Sequence, residues 1–573
     1  MTTKSEVPLA PLPARKKSIL DYIYTHEAQM PERVYLTQSL RGGQTQDYTW
    51  REVLDQSRRM AAHIRSLGFM PGARIAILSG NCAHFVMAEL AIWMAGGTTV
   101  AIYPTEKPET IRYVLEHAEA SLIFVGKLED WDRQRAALPQ GLPAVALPLA
   151  PQTTFATWDG IIARTPPIHG IVDRAANDLA LICYTSGSTG QPKGVMHSFA
   201  RVTQASADMV DYMRANYGAD LESRVLSYLP LAHIYERAWV ECASFVDGRC
   251  QIFFNHSQET FLQDLNRARP TGFISVPRLW LKFQQGVLAR LPQAMLNQLL
   301  DDPATSSATA GQIVQSLGLA EAVSASSGSA PMPAELMAWY RRLGLNLLEG
   351  YGMTEDFAYS FASTPEFNAP GCVGVPLPGV EVRFSDEGEI LIKSPGQLVG
   401  YYKQPELFAA ALTEDGYFRT GDEGAIQANG LLKITGRLKD NFKTSKGKYV
   451  APVSIENLFV AHPMVEAVMV SGAGAPAPYA FLVLTEDWRV RIDKTLSKAK
   501  VEDELKKLIG EINASLAHYE RLQMIVVAKN PWSVENGYLT PTLKIKRKHI
   551  ESAVASEVPG WYAKGQPVIW SNI

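Results

Sequence analysis

Along the first 170 residues of this 573-residue chain, the spacing of apolar positions switches repeatedly between the helical and the strand period. From Trp50 to Leu67 the apolar positions recur with helical spacing, and the turn Gly68 to Gly72 follows. Arg74-Ile-Ala-Ile-Leu78 has the pattern of a short buried strand. Residues Asn81 to Ala95 predict a helix, Thr98 to Ile102 a strand, Ile111 to Ala118 a helix and Ser121 to Val125 a strand. Strands that alternate with helices imply parallel sheets covered by helices. Ligands of such folds bind at the carboxyl ends of the strands. Pro143 to Pro167, rich in Pro, Ala and Thr, predicts a run over the surface, and Ala304 to Ala310 a small-residue loop. Gly379 to Lys393 predicts short antiparallel strands around the turn Asp386-Glu387-Gly388. Beyond Arg437 a basic loop leads into a small α+β pattern with a helix from about Lys494 to Ala517. That change places a domain boundary between 437 and 438. The expected fold is α/β: a large N-terminal domain of parallel-type sheets covered by helices, with a β-rich subdomain, and a small α+β C-terminal domain.

Composition narrows the picture. The length exceeds what one core fills. Hydrophobic residues at 46% and charged residues at 20% are a globular mixture. A net charge of −3 points away from a nucleic-acid partner. The five cysteines, Cys82, Cys183, Cys242, Cys250 and Cys372, are odd in number and lack CxxC spacing. Reduced buried thiols in a cytoplasmic protein are the expectation, with Cys183 in strand core. The N-terminal residues are Pro-rich and charged and have no apolar secretory core. The longest apolar stretch, Phe85 to Tyr103, contains Glu89 and Gly96-Gly97, and predicts a helix, a turn and a strand instead of a membrane span. Peripheral membrane contact stays open; Arg15-Lys16-Lys17 could assist it, although a solvated tail is the simpler reading.

The strongest local signal is Tyr184-Thr185-Ser186-Gly187-Ser188-Thr189-Gly190-Gln191-Pro192-Lys193-Gly194. An apolar strand ends in a loop of Gly, Ser and Thr. Glycines let backbone amides approach a phosphate, and hydroxyls add donors. Lys193 adds a point charge. A Walker A loop is excluded, because Gly194 follows the lysine.

This run resembles the phosphate loop of the acyl-adenylate-forming superfamily, and further motifs of that family follow in order. Leu229-Pro-Leu-Ala-His233-Ile-Tyr-Glu-Arg237 and Ser275-Val-Pro-Arg-Leu-Trp280 are similar to its long-chain fatty acyl-CoA synthetases. Ser327-Gly328-Ser329-Ala330-Pro331 resembles the adenine-flanking segment. Glu349-Gly350-Tyr351-Gly352-Met353-Thr354-Glu355 resembles the segment in which, by family likeness, Tyr351 stacks near adenine, Thr354 contacts the α-phosphate and Glu355 holds Mg²⁺. A hard cation that bridges phosphates suits a carboxylate. In Tyr417-Phe-Arg-Thr-Gly-Asp422 the resemblance makes Asp422 the acceptor for ribose hydroxyls. In Gly436-Arg-Leu-Lys-Asp440 it makes Arg437 a ribose and phosphate ligand and Lys439 the hinge about which a mobile C-terminal lid rotates. Phe442-Lys443-Thr-Ser-Lys446-Gly447-Lys-Tyr-Val-Ala-Pro452 resembles the segment that faces coenzyme A, through Lys443 and Gly447. Lys446 stands where the family usually has a second glycine. Leu539-Thr-Pro-Thr-Leu543-Lys544-Ile-Lys546-Arg547 resembles the run with the catalytic lysine. Lys544 is the candidate and Lys546 the fallback.

The resemblance implies an ATP- and Mg²⁺-dependent ligase that activates a fatty acid as acyl-AMP and passes it to coenzyme A. His233 then borders the acyl and adenylate site and, with Lys193, Glu355 and Lys544, carries catalysis. Alternatives are an acyl-AMP ligase that loads a carrier protein, and a coenzyme A ligase for medium-chain or aromatic acids. No insertion between the glutamate motif and the hinge favours the carrier-protein reading.

Overall fold

In the computed structural model, which describes residues 17–185, 191–460, 462–494, 497–540 and 544–573, local chemistry explains the first elements. Thr49 caps the helix Trp50–Ser66: its hydroxyl accepts from the Glu52 amide, and the Glu52 carboxylate accepts from the Thr49 amide at 2.8 Å. The helix Ala83–Met94 is buried all round, as its uniformly apolar sequence requires. Gly96, at φ 91°, turns the chain into the strand Thr98–Ile102.

Eight strands form the main sheet, in the order Gly400–Tyr401, Lys193–Ser198, Leu179–Thr185, Thr98–Ile102, Arg74–Leu78, Leu122–Val125, Ala144–Ala146 and Ala156–Thr157. All neighbours run parallel except Lys193–Ser198, which is antiparallel to both its partners. A second sheet carries Gly272–Ser275, Ser324–Ser327 and Leu347–Tyr351 in parallel, edged by two short antiparallel strands. A third pairs Val34–Ser39 with Gln251–Phe254. The β-rich unit is antiparallel: Glu381–Phe384, Glu389–Lys393, Phe418–Ile426 and Leu432–Arg437.

After the hairpin Phe442–Lys443 and Tyr449–Val450 comes a sheet of Val465–Ser471, Tyr479–Leu484, Ile525–Val527 and Val568–Trp570. It has its own core on each face. All five cysteines are free and buried, with Cys183 in the main sheet. Among the described residues no helix is long and apolar enough to cross a membrane.

Two expectations change, and one boundary tightens. Residues 304–310 are not a loop: the helix Ser306–Ser316 begins among them. Its small residues suit a helix packed on Gln293–Asp301, with Ile313 and Val314 buried. The run 143–167 is not all surface: it supplies two strands of the main sheet and the helix Trp158–Ile162, capped by Thr157. Trp158 is fully buried and donates to Gln56 Oε1 at 2.9 Å, so burial of one indole outweighs the turn-rich composition. The helix expected over 494–517 is observed as Lys498–Ser515, preceded by Glu486–Lys494. Arg15, Lys16 and Leu543 lie outside the described residues.

Candidate active site

The strands Leu179–Thr185 and Lys193–Ser198 form a hairpin in which Thr185 and Lys193 are register partners. The Gly/Ser/Thr loop is the hairpin's connection; its residues Ser186, Gly187, Ser188, Thr189 and Gly190 lie outside the described residues. At the root of that loop, the Thr185 hydroxyl is buried without a hydrogen-bond partner among the described residues.

Lys193 reaches across to the glutamate motif. Its Nζ lies 2.6 Å from Glu355 Oε1 and 2.8 Å from the Tyr401 hydroxyl, which itself donates to Glu355 Oε1 at 2.9 Å. Burial alone would raise the Glu355 carboxyl, but the Lys193 ammonium and the Tyr401 hydroxyl outweigh it and hold the group below its ordinary value. Glu355 is therefore an ionised carboxylate at the wall of a large cleft.

The backbone around it is tightly specified. A Cβ on Gly352 would stand 2.8 Å from the backbone of Ala358, so only glycine fits there. Asp356 accepts from the amides of Met353 and Tyr359 at 2.9 and 3.2 Å and from the Ser360 hydroxyl. Burial pushes its carboxyl up to about 7. His197 is buried and bonds the Thr354 carbonyl at 2.8 Å; burial lowers it to about 4, so the ring is neutral and Nε2 donates. Glu349 accepts from the amides of Met332 and Gly371 at 2.9 and 3.3 Å, tying the Ser327–Pro331 segment to the glutamate motif. Burial raises Glu349 to about 7.

The opposite wall comes from the β-rich unit. Asp422 and Arg437 are register partners on adjacent strands. Arg437 Nε donates to Asp422 Oδ1 at 2.8 Å, and the Tyr351 hydroxyl donates to Oδ2 at 2.6 Å. Each carboxylate oxygen keeps a further lone pair for another donor.

Between these walls is a cleft of about 2380 Å³. Gly328, Ser329, Ala330, Gly350, Thr354, His233 and Lys439 also line it. Ser329 holds φ at 68°, an uncommon conformation for a residue with a side chain. His233 Nδ1 accepts from the Tyr235 amide at 3.2 Å. Burial, and then the charge of Lys544, lower His233 to about 3; the ring is neutral, with its Nε2 proton as a donor.

Lys544 enters from the C-terminal side. Its loop is closed by Thr540, whose amide donates to the Lys544 carbonyl at 2.8 Å and whose hydroxyl accepts from the Lys544 amide at 3.0 Å. The side chain keeps access to cleft solvent while protein surrounds it. That desolvation, then Arg437, lower its pKa, and Asp422 and Glu355 oppose the shift. Lys546 also lines the cleft, and its charge acts on Glu106. Lys443 and Gly447 do not line the cleft: they lie on the hairpin beyond Lys439, where Gly447 takes φ 75°. Across the cleft mouth, Arg278 bonds Glu466 at 2.9 Å.

Sequence reasoning singled out neither Tyr401 nor the buried supports His197 and Asp356. Tyr401 is 208 residues from Lys193 and sits in a segment with no distinctive pattern, so no local signal marks it.

The family model for AMP-binding enzymes matches residues 24–402, and one for the C-terminal domain of AMP-binding enzymes matches residues 439–566. Among curated proteins, the chain is 29% identical to the long-chain-fatty-acid–CoA ligase FadD15 of Mycobacterium bovis, over 95% of this chain and 96% of that protein. It is 28% identical to the long-chain-fatty-acid–CoA ligase 1 of Homo sapiens, over 90% of this chain and 83% of that protein. Among solved structures, the A domain of carboxylic acid reductase from Segniliparus rugosus, in complex with AMP and a co-purified carboxylic acid, superposes with a TM-score of 0.80 at 22% identity, over 96% and 94% of the two chains. The anthranilate CoA ligase AuaEII with anthranoyl-AMP gives 0.74 at 21% identity, over 95% and 98%. At such identities these likenesses concern the fold.

Proposed function

The chain belongs to the AMP-binding enzymes, and from that premise we propose that it joins a long-chain fatty acid to coenzyme A through an acyl-adenylate. The curated relatives that match along nearly the whole chain are ligases of that kind. The single observation that carries the reading is the convergence, on one cleft, of an ionised Glu355 braced by Lys193, an Asp422–Arg437 pair and Lys544.

ATP lies along this cleft, with its ribose hydroxyls donating to the free lone pairs of Asp422 and its α-phosphate beside Thr354. The fatty carboxylate attacks the α-phosphorus, and the bond to pyrophosphate breaks. Lys544 stabilises charge developing on the reacting oxygens. His233, neutral with Nε2 protonated, donates at the border of the acyl site. Glu355 is the carboxylate that would hold Mg²⁺, a hard cation that favours carboxylate oxygen. The Glu355 carboxylate, held ionised at the cleft wall, fits a hard cation of this kind. Bound there, the ion offsets phosphate charge.

The working division falls between residues 437 and 438, with Lys439 as the hinge. Its place in the turn after the strand Leu432–Arg437 supports this. Rotation there withdraws Lys544 and brings the hairpin with Lys443 and Gly447 to the adenylate. The thiol of coenzyme A then attacks the acyl carbon, its proton is lost, and AMP leaves. The same greasy substrate makes contact with a membrane surface compatible with this reading.

Pyrophosphate and AMP release, measured with acids from C2 to C20 and with aromatic acids, with and without coenzyme A, tests the proposal. The expected outcome is AMP turnover that requires both a long unbranched acid and coenzyme A. Turnover indifferent to coenzyme A would reassign the acceptor, and preference for aromatic acids would reassign the substrate.

A further inference from the structure

The segment that carries His233 is held from behind by one helix. Asn81 stands between the strand Arg74–Leu78 and the helix Ala83–Met94; it is buried and does not line the cleft. Its side chain reaches residues 148 and 150 positions further along the chain. Asn81 Nδ2 donates to the Leu229 carbonyl at 2.6 Å and to Ser227 Oγ at 2.8 Å, and Oδ1 accepts from the Leu231 amide at 2.9 Å. A carbonyl only accepts and a backbone N–H only donates, so these partners fix which way the Asn81 amide faces. One side chain thus clasps both neighbours of Pro230.

The clasp passes to His233 through a single bond. The Pro230 carbonyl, between the two held residues, accepts from the His233 amide at 2.8 Å and closes a tight turn. From the other side Arg237 Nε donates to the Leu231 carbonyl at 3.1 Å, and the Arg237 amide donates to the His233 carbonyl at 3.1 Å. Arg237 in turn bonds both carboxylate oxygens of Glu89, Oε2 at 2.6 Å. Glu89 is the single acidic residue of the helix Ala83–Met94, so the same rigid element holds the turn at a second point. Leu231, Ala232 and Ile234 are buried, while His233 lines the cleft. A ring whose flanks are fixed in this way is aimed by the backbone behind it.

We propose that Asn81 is a positioning residue for adenylate formation: it fixes the turn that aims the His233 ring into the cleft, without itself touching substrate. A misplacement of about 1 Å at a reacting centre costs up to about 10²-fold in rate, so a clasp behind the ring has kinetic weight. This inference rests on the fatty acid reading above and deepens it.

Removing Glu89 would leave Arg237 buried without its partner and endanger the fold, so the test is made at Asn81. It measures pyrophosphate release by the full chain with ATP and the preferred acid of the C2 to C20 series. Asn81→Ala should lower kcat about tenfold and leave the KM for ATP within about twofold, because Asp422 and Lys193 stand on other strands. His233→Ala should lower kcat about 10²-fold, the effect of deleting one donor to a transition state. With His233 already replaced, Asn81→Ala should cost no more than about a further twofold, since its route to the chemistry is gone. Gln38→Ala is the stability control: Gln38 Oε1 accepts from the Ala83 amide at 3.0 Å, at the start of the same helix. It should lower the melting temperature as Asn81→Ala does, with kcat within about twofold. Should Asn81→Ala not fold, Asn81→Ser, whose hydroxyl replaces one of the lost contacts, goes through the same cycle with a smaller loss. Losses that multiply in the double variant overturn the positioning role and leave the functional reading standing. A fall in kcat for Gln38→Ala as large as that for Asn81→Ala does the same. Failure of the unaltered enzyme to release pyrophosphate with any of these acids overturns the functional reading, and the positioning role with it.

Discussion

The two sides of the cleft are built differently. On the N-terminal side every charged group assigned to the nucleotide is interlocked before any ligand arrives: Lys193 with Glu355 and Tyr401, and Asp422 with Arg437 and Tyr351. On the C-terminal side Lys544 rides on a loop whose base is held by Thr540 and, three residues on, by Arg547 in a two-point contact with Glu456 at 2.7 and 2.9 Å. Its Nζ makes no hydrogen bond among the described residues. One side is preorganised by contact. The other acts by the orientation of a whole lobe, and Lys544 feels the charges of Asp422 and Glu355 across the cleft. Such a division suits a reaction in which one group must leave before the second step, while the nucleotide stays in place.

Removing the delivered charge is the sharpest way to break this contrast. Lys544→Ala should slow pyrophosphate release about 10²–10³-fold, the usual effect of deleting one donor to a transition state. Transfer of a supplied acyl-adenylate to coenzyme A should stay within about threefold. Equal losses in the two half-reactions would mean that Lys544 does not leave between them. Next in size, Asp422→Asn, assayed by ATP titration, should raise the KM for ATP about tenfold, because charge-assisted bonds to ribose and Arg437 weaken. An unchanged KM would move the ribose elsewhere.

Tyr401→Phe sharpens the picture of the braced side. The direct Lys193–Glu355 contact survives, so kcat should fall only about three- to tenfold, the worth of one hydrogen bond to a charged pair. A loss as large as that of Lys544→Ala would make the phenol itself a participant. The smallest effect concerns pH. Burial raises Asp356 from 3.8 to about 7, so the folded chain keeps a proton that the unfolded chain has lost. Stability from this group is present below its unfolded pKa and falls as pH rises from about 4 to about 7. Asp356→Asn keeps the acceptor for Met353 and Tyr359 and removes the titration. Melting temperatures should therefore show a flatter decline over that range than in the unaltered chain; parallel curves would show that Asp356 does not hold a proton.

The N-terminal strands and helices could be read from periodicity alone, because each buries a face set by its own residues: Arg74–Leu78 and Thr98–Ile102 are strands as expected. The runs 143–167 and 304–310 misled, because their composition is turn-like or small while their structure depends on partners elsewhere, Gln56 for Trp158 and the preceding helix for Ser306–Ser316.

For the site, motif order placed Lys193, Glu355, Asp422, Arg437 and Lys544 in one enzyme class, since each motif is a local chemical pattern. Which of these groups touch was decided by the fold. The Lys193–Glu355–Tyr401 cluster joins two neighbouring strands of the main sheet to the turn Thr354–Asp356. Local sequence sets what each residue can do; contacts between residues hundreds of positions apart depend on how burial closes the whole chain, and no window of sequence contains that information.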